Sequence, residues 1–156
     1  MDINLWCFGN LSKVPTGKPA IIDGMVMLVL GQASAPYVRC LMLSGEPRGR
    51  IADLRDQHCI YFDGDIGFEV ELEDLLARSE PTNQWMTLAQ LLLFSDGAFV
   101  NGRDRGGLYI GVSVAGQLID ADGLSRFHQA FQRWKLVLVG PGQQRTVLLD
   151  VEAVEI

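Results

Sequence analysis

The run Met25–Leu30, Met-Val-Met-Leu-Val-Leu, is apolar at every position and offers no polar face. It is far shorter than the roughly 20 residues of a membrane span, and its length and valine content favour a β-strand. A strand with two apolar faces has to be covered on both sides, so we expect it near the centre of its sheet. The chain must therefore build a sheet with protein packed on each face.

Two kinds of periodicity surround this strand and predict the fold class. Strands are predicted at 3–8, 37–43, 58–62, 68–72, 99–100, 108–114, 135–139 and 146–154, several of them joined by hairpin signals. Helices are predicted at 124–134, where apolar residues recur at three and four, at 85–94 after a capping sequence, and at 73–78. We therefore predict an α+β fold, a mainly antiparallel sheet of about eight short strands with two or three helices packed on one face. The length of 156 residues predicts a single globular domain over 1–156.

The stretch Asp63–Asp74 carries the most unusual pattern, because three acidic residues alternate with three apolar ones from Phe68 onward. On a strand this alternation places Glu69, Glu71 and Glu73 together on the wet face, neighbours being about 6.6–6.8 Å apart. Like charges at that distance repel by about 0.6 kcal/mol per pair in water. The preceding Asp63-Gly64-Asp65 predicts a tight hairpin turn.

A row of unmatched carboxylates predicts a surface that docks on a basic partner protein. The net charge of −6 and the pI of about 4.8 argue against non-specific binding to nucleic acid or to anionic membranes. Our leading expectation is a non-enzymatic acidic protein-binding domain, such as an inhibitor or immunity protein that covers a nuclease or another nucleic-acid-binding protein. Its predicted contacts are Asp63, Asp65, Glu69, Glu71 and Glu73. The competing interpretation is a solvated outer strand whose carboxylates are neutralised by arginines of neighbouring strands.

Two further functions stay open at this stage. Asp63 and Asp65 suit a metal-assisted hydrolase, although they make a poor calcium loop because Phe68 replaces the required glycine and Asp74 the final glutamate. A small-ligand site using Arg103 or Arg105 is the third possibility, since glycine-flanked arginines can bind phosphate or carboxylate groups. The sequence contains no recognisable catalytic motif, and no cofactor is predicted.

Cysteine usage and the N-terminal sequence predict the compartment. Cys7, Cys40 and Cys59 are odd in number, widely spaced and set in apolar runs, which favours buried thiols in a reducing environment. The N-terminal residues lack the basic segment of a signal peptide. We therefore predict a cytoplasmic protein.

Overall fold

The computed structural model describes residues 6–62, 64–72 and 87–154, and these form three antiparallel sheets. The six-stranded sheet contains β1 (Trp6–Asn10), β2 (Pro19–Ile22), β3 (Met25–Gln32), β4 (Tyr37–Met42), β5 (Ile51–Arg55) and β6 (His58–Phe62). The five-stranded sheet contains β8 (Leu91–Phe94), β9 (Gly97–Arg103), β10 (Tyr109–Val112), β11 (Leu118–Ile119) and β12 (Gln129–Phe131). The three-stranded sheet contains β7 (Gly67–Leu72), β13 (Arg133–Val139) and β14 (Arg145–Glu152).

The position predicted for the apolar run is confirmed. β3 lies inside the six-stranded sheet, whose order is β1-β6-β2-β3-β4-β5. Val26 and Leu28 belong to one hydrophobic cluster, whereas Met27 and Val29 belong to another on the opposite face. Both faces of the strand are therefore covered, as its composition requires.

One hydrophobic cluster joins the three sheets. Its buried members come from β3, β4, β5, β8, β9, β10, β12, β13 and β14, with Trp134 as the largest fully buried side chain. A second cluster covers the outer face of the six-stranded sheet, where the 3₁₀ turn Leu11–Lys13 supplies Leu11. The core thus lies between the sheets, and a further layer closes the far side of the largest one.

The predicted α+β fold is wrong, because more than half of the described residues are strand and very few are helix. The prediction of a mainly antiparallel sheet is confirmed, but the described residues form fourteen strands in three sheets, and their only helical segments are the 3₁₀ turn and the single-turn helix α1 (Ala121–Leu124). Neither helical segment in the described ranges has the length or hydrophobicity to span a lipid bilayer.

The helix predicted at 124–134 is replaced by α1 and two strands. Leu124 and Phe127 pack in a small cluster against the five-stranded sheet, whereas Phe131 and Trp134 enter the main core. The spacing of these apolar residues at three and four positions therefore results from burial in two different clusters and not from one face of a helix. The Asp120 side chain caps α1 by accepting a hydrogen bond from Gly123 N at 2.9 Å.

The helix predicted at 85–94 is also wrong over residues 87–94, the part of it that the structure describes. Residues 91–94 form the strand β8 instead. Leu91 packs in the main core, whereas Leu92 packs in the small cluster with Leu124. A strand that is buried on both faces has an unbroken apolar run, which explains this sequence. Residues 73–86, including the predicted third helix, lie outside the described residues.

The hairpin predicted around Gly64-Asp65 does not form. β6 pairs with β1 and β2, whereas β7 pairs with β13 in a different sheet. Between them Ile66 is 1% exposed and packs in a cluster with Phe62 and Leu138. This buried residue carries the chain from one sheet to the next.

All three cysteines lie in the described ranges and are free thiols. Cys40 and Cys59 are buried, as predicted, whereas Cys7 is only half-buried on β1. Burial raises the pKa of the Cys40 thiol to about 12 and also raises the pKa of Cys59. Cys40 is therefore protonated and shielded at neutral pH.

We expect iodoacetamide to modify native Cys7 at least about a hundredfold faster than Cys40, because the thiolate is the reactive form and Cys40 must first be exposed. Peptide mass spectrometry over time gives both rates, and the difference should vanish in concentrated urea. Equal rates in the native protein would contradict the burial of Cys40.

Candidate functional site

The acidic strand β7 has the predicted alternation of faces. Phe68, Val70 and Leu72 pack against the main core, whereas Glu69 and Glu71 are exposed. On β13, Glu69 lies opposite Val137 and Glu71 lies opposite Lys135. The strand prediction is confirmed, and its carboxylates lie on the outer face of the three-stranded sheet.

These carboxylates are not unmatched, because one arginine binds both. Arg145 starts β14 on the other side of β13, and its guanidinium reaches across that strand. Nη1 donates to Glu69 Oε2, and Nη2 donates to Glu71 Oε2 at 3.1 Å. The hydrogen bonds to Glu69 and then Glu71 raise the pKa of Arg145. The premise of an uncompensated carboxylate row is therefore wrong for Glu69 and Glu71.

The same outer face carries two further ion pairs. Lys135 Nζ lies 4.0 Å from Asp150 Oδ1, and Arg133 Nη2 lies 3.4 Å from Glu152 Oε1. Each pair joins residues directly opposite each other on β13 and β14. Exposed pairs of this kind contribute little stability, but they leave the face with a mixed charge.

Of the remaining members of the predicted acidic site, the structure describes one. Asp65 is exposed in the turn before β7, while Asp63 and Glu73 lie outside the described residues. Within 6–62, 64–72 and 87–154, no group of three or more His, Cys, Asp or Glu side chains is placed to hold a metal ion. Asp63 lies outside the described residues, so the metal site predicted at Asp63 and Asp65 stays a prediction.

A cleft of about 200 Å³ opens where the six-stranded and five-stranded sheets meet. Leu30 and Ile51 line it from β3 and β5, and Ile110 and Leu118 line it from β10 and β11. Its charged lining comprises Arg39, Asp53, Asp104 and Arg105. This concavity combines an apolar wall with convergent charged groups, two features of ligand sites, in a smaller volume than most such sites have.

Strand register places the first charged pair. Arg39 on β4 lies directly opposite Asp53 on β5. Arg39 Nε donates to Asp53 Oδ1 at 2.9 Å, and Nη2 donates to Oδ2 at 3.3 Å, so the pair is bidentate. The hydrogen bond from Arg39 lowers the pKa of Asp53, and the charge of Arg105 adds a smaller effect. Asp53 therefore stays ionised at neutral pH.

The second pair of charges lies on the loop between β9 and β10. Asp104 Oδ1 accepts from Leu108 N at 2.9 Å, and Asp104 O accepts from Gly107 N at 3.1 Å, which closes a tight loop. Gly107 has φ of +86°, a conformation in which glycine is favoured. The loop is thus held by its own hydrogen bonds beside the cleft.

Arg103 and Arg105, the two arginines that the sequence suggests for a small-ligand site, have different roles in the structure. Arg103 Nε donates to Gly107 O at 3.3 Å, and its guanidinium lies 5.4 Å from the centroid of the Tyr109 ring. Arg105 is exposed, lines the cleft, and makes no hydrogen bond or ion pair with any described residue. Arg103 therefore supports the loop, and Arg105 is the arginine available to a ligand.

Sequence reasoning missed Arg39 and Asp53. The sequence does contain a signal for this pair. When the two strands are paired antiparallel, Arg39 lies opposite Asp53 and the same face carries opposite charges. The flanking pairs on that face are Leu41 with Ile51 and Tyr37 with Arg55.

Comparison of the chain with family models, with curated proteins and with solved structures finds no match. Any function for the site has to be argued from its geometry.

Proposed function

We propose that the protein is a non-enzymatic binding domain that holds a small ligand in the cleft between its six-stranded and five-stranded sheets. The observation that carries the proposal is the lining of this cleft, in which Arg105, without a hydrogen bond or ion pair to any described residue, accompanies an apolar wall formed by Leu30, Ile51 and Ile110. A ligand there would bury apolar surface and meet a charge at the same time, the combination that gives small-molecule sites both affinity and orientation.

The chemistry of the lining favours binding over catalysis. Arginines stay protonated, and the lowered pKa of Asp53 keeps that carboxylate ionised. General acid–base catalysis works best with a group that titrates near the working pH. Both histidines, His58 and His128, are exposed and lie outside this lining.

Docking of a basic partner on β7 stays a prediction. The pairing of Glu69 and Glu71 with Arg145 removes the main argument for it. Asp63 and Glu73 lie outside the described residues, so the part they would play has no structural support. The cleft is the better supported site.

Filling the cleft should abolish ligand binding. Leu118 lines the cleft and is 55% exposed, so Leu118→Trp can add bulk there without disturbing the core. We expect small fragments to shift the methyl NMR signals of Leu30, Ile51 and Ile110 in a saturable manner, and these shifts to disappear in Leu118→Trp.

The matched control is Leu108→Trp. Leu108 is 65% exposed and lies outside the cleft lining, so this variant adds the same indole to the same surface. It should keep the fragment response. If a library of small carboxylates, amines and neutral aromatics gives no saturable shift at the cleft, the proposed function is wrong.

A further inference from the structure

The charged side chains around the cleft differ in how many of their hydrogen-bonding atoms already have a partner within the protein. Both carboxylate oxygens of Asp53 accept from Arg39. Asp104 Oδ1 accepts from the backbone N–H of Leu108. Arg105, in contrast, has no hydrogen bond or ion pair in the described part of the chain. The unused hydrogen-bonding capacity of the charged lining is therefore mainly the guanidinium of Arg105 and one carboxylate oxygen of Asp104, as far as the described residues show.

An unused guanidinium specifies the chemistry of its partner. Arginine offers five N–H donors in a planar fork and accepts nothing. The planar anion that matches this fork with two parallel hydrogen bonds is a carboxylate. An ammonium group would be repelled by Arg105 and Arg39. It would find both oxygens of Asp53 and Oδ1 of Asp104 already engaged, which leaves it one carboxylate oxygen and no bidentate partner.

The other surface of the cleft specifies the body of the ligand. Leu30, Ile51, Ile110 and Leu118 present only aliphatic groups. Burying such surfaces against an apolar ligand is favourable, whereas burying a second polar group there without a partner is not. The cleft of about 200 Å³ corresponds to roughly six or seven times the volume of one liquid water. This space suits a branched aliphatic or small aromatic group.

We propose that the cleft binds a small monocarboxylate with an apolar body, and that Arg105 contacts its carboxylate. The inference rests on the proposed function and deepens it by naming the ligand class. Leu118 and Ile110 cover one side of the apolar body, and Leu30 and Ile51 cover the other. The Arg39–Asp53 pair, on strands of the six-stranded sheet, lines the same cleft.

Isocaproate is the test ligand, with isocaproamide and isohexylamine as matched compounds that share its aliphatic body. Titration followed by ¹H–¹³C methyl NMR should show isocaproate binding at the cleft at least about tenfold more tightly than isocaproamide, because the charge-assisted hydrogen bonds are lost in the amide. Isohexylamine should bind most weakly of the three.

The variant Arg105→Met keeps an unbranched side chain and removes the charge. It should bind isocaproate and isocaproamide equally, at the weak level of the amide. The control Arg126→Met removes an exposed arginine outside the cleft and should leave the preference unchanged. Circular dichroism checks that both variants are folded.

The outcomes separate the two proposals. If the amide or the amine binds at the cleft as tightly as the acid, or if Arg105→Met keeps the preference, the ligand class is wrong while a cleft that binds ligands survives. If none of the three compounds shifts the cleft methyls, the ligand class is wrong. If the wider fragment library also gives no saturable shift there, the proposed function fails as well. Binding of isocaproate that shifts only residues outside the cleft also contradicts the inference.

Discussion

Replacing Trp134 by alanine is expected to destabilise the protein by about 3–5 kcal/mol, the usual range for removing a fully buried indole. Trp134 is 0% exposed and belongs to the cluster that joins all three sheets. Its Nε1 donates to Ala89 O at 2.9 Å, so truncation also leaves a buried carbonyl without that donor. Urea unfolding followed by circular dichroism measures the change in the free energy of unfolding.

The variant Trp134→Phe separates packing from hydrogen bonding. It keeps an aromatic ring in the core but cannot donate to Ala89 O, so we expect a smaller loss than in Trp134→Ala. A loss below about 1 kcal/mol in the alanine variant would show that the indole is not in the common core.

Gly49→Ala is expected to cost about 3 kcal/mol, because two penalties act at the same residue. Gly49 has φ of +85°, which a side chain disfavours. An added Cβ would also lie 2.6 Å from Leu88 Cβ and 2.7 Å from Ala89 N. The backbone atom cannot move without displacing the strand that follows it, so the sheets have to separate.

Gly24→Ala is the matched control for Gly49→Ala. Gly24 has nearly the same φ, +78°, but nothing lies within 4 Å of an added Cβ. Its substitution should show the backbone penalty alone, about 1 kcal/mol. Equal losses for the two variants in urea unfolding would mean that the close approach at Gly49 has no energetic importance.

Gly49 also links stability to the cleft. Its N–H donates to Met42 O at 2.8 Å, and its carbonyl accepts from Arg103 N at 2.8 Å, which joins the two sheets that form the cleft. We therefore expect Gly49→Ala to weaken ligand binding as well.

Local patterns predicted the parts of the fold that depend on neighbouring residues. The buried strand β3, its hairpin with β4 and the closing hairpin of β13 and β14 follow from apolar runs separated by turn residues. The helix at 124–134 failed because apolar spacing does not reveal whether its members share one cluster. Leu124 and Trp134 enter different clusters, and only the tertiary structure decides this.

The candidate site was predictable only in part, because its charges meet through strand pairings that are distant in sequence. Arg145 reaches Glu69 only because β7 and β14 flank the same strand. Arg105 was identified as a candidate, but its proximity to Asp53 depends on how two sheets meet. Neither arrangement leaves a periodic signal in the sequence.

The pairing of β7 with β13 has a consequence for folding during synthesis. Phe68, Val70 and Leu72 gain their partner strand only after β13 has left the ribosome, long after β7 itself, because Leu72 pairs with Trp134. Closing so long a loop slows folding. Until β13 pairs with β7, the apolar face of β7 is exposed to other nascent chains. Glu69 and Glu71 repel identical strands during this interval. We therefore expect the carboxylates that Arg145 binds in the finished protein to oppose aggregation earlier, as gatekeeper residues do.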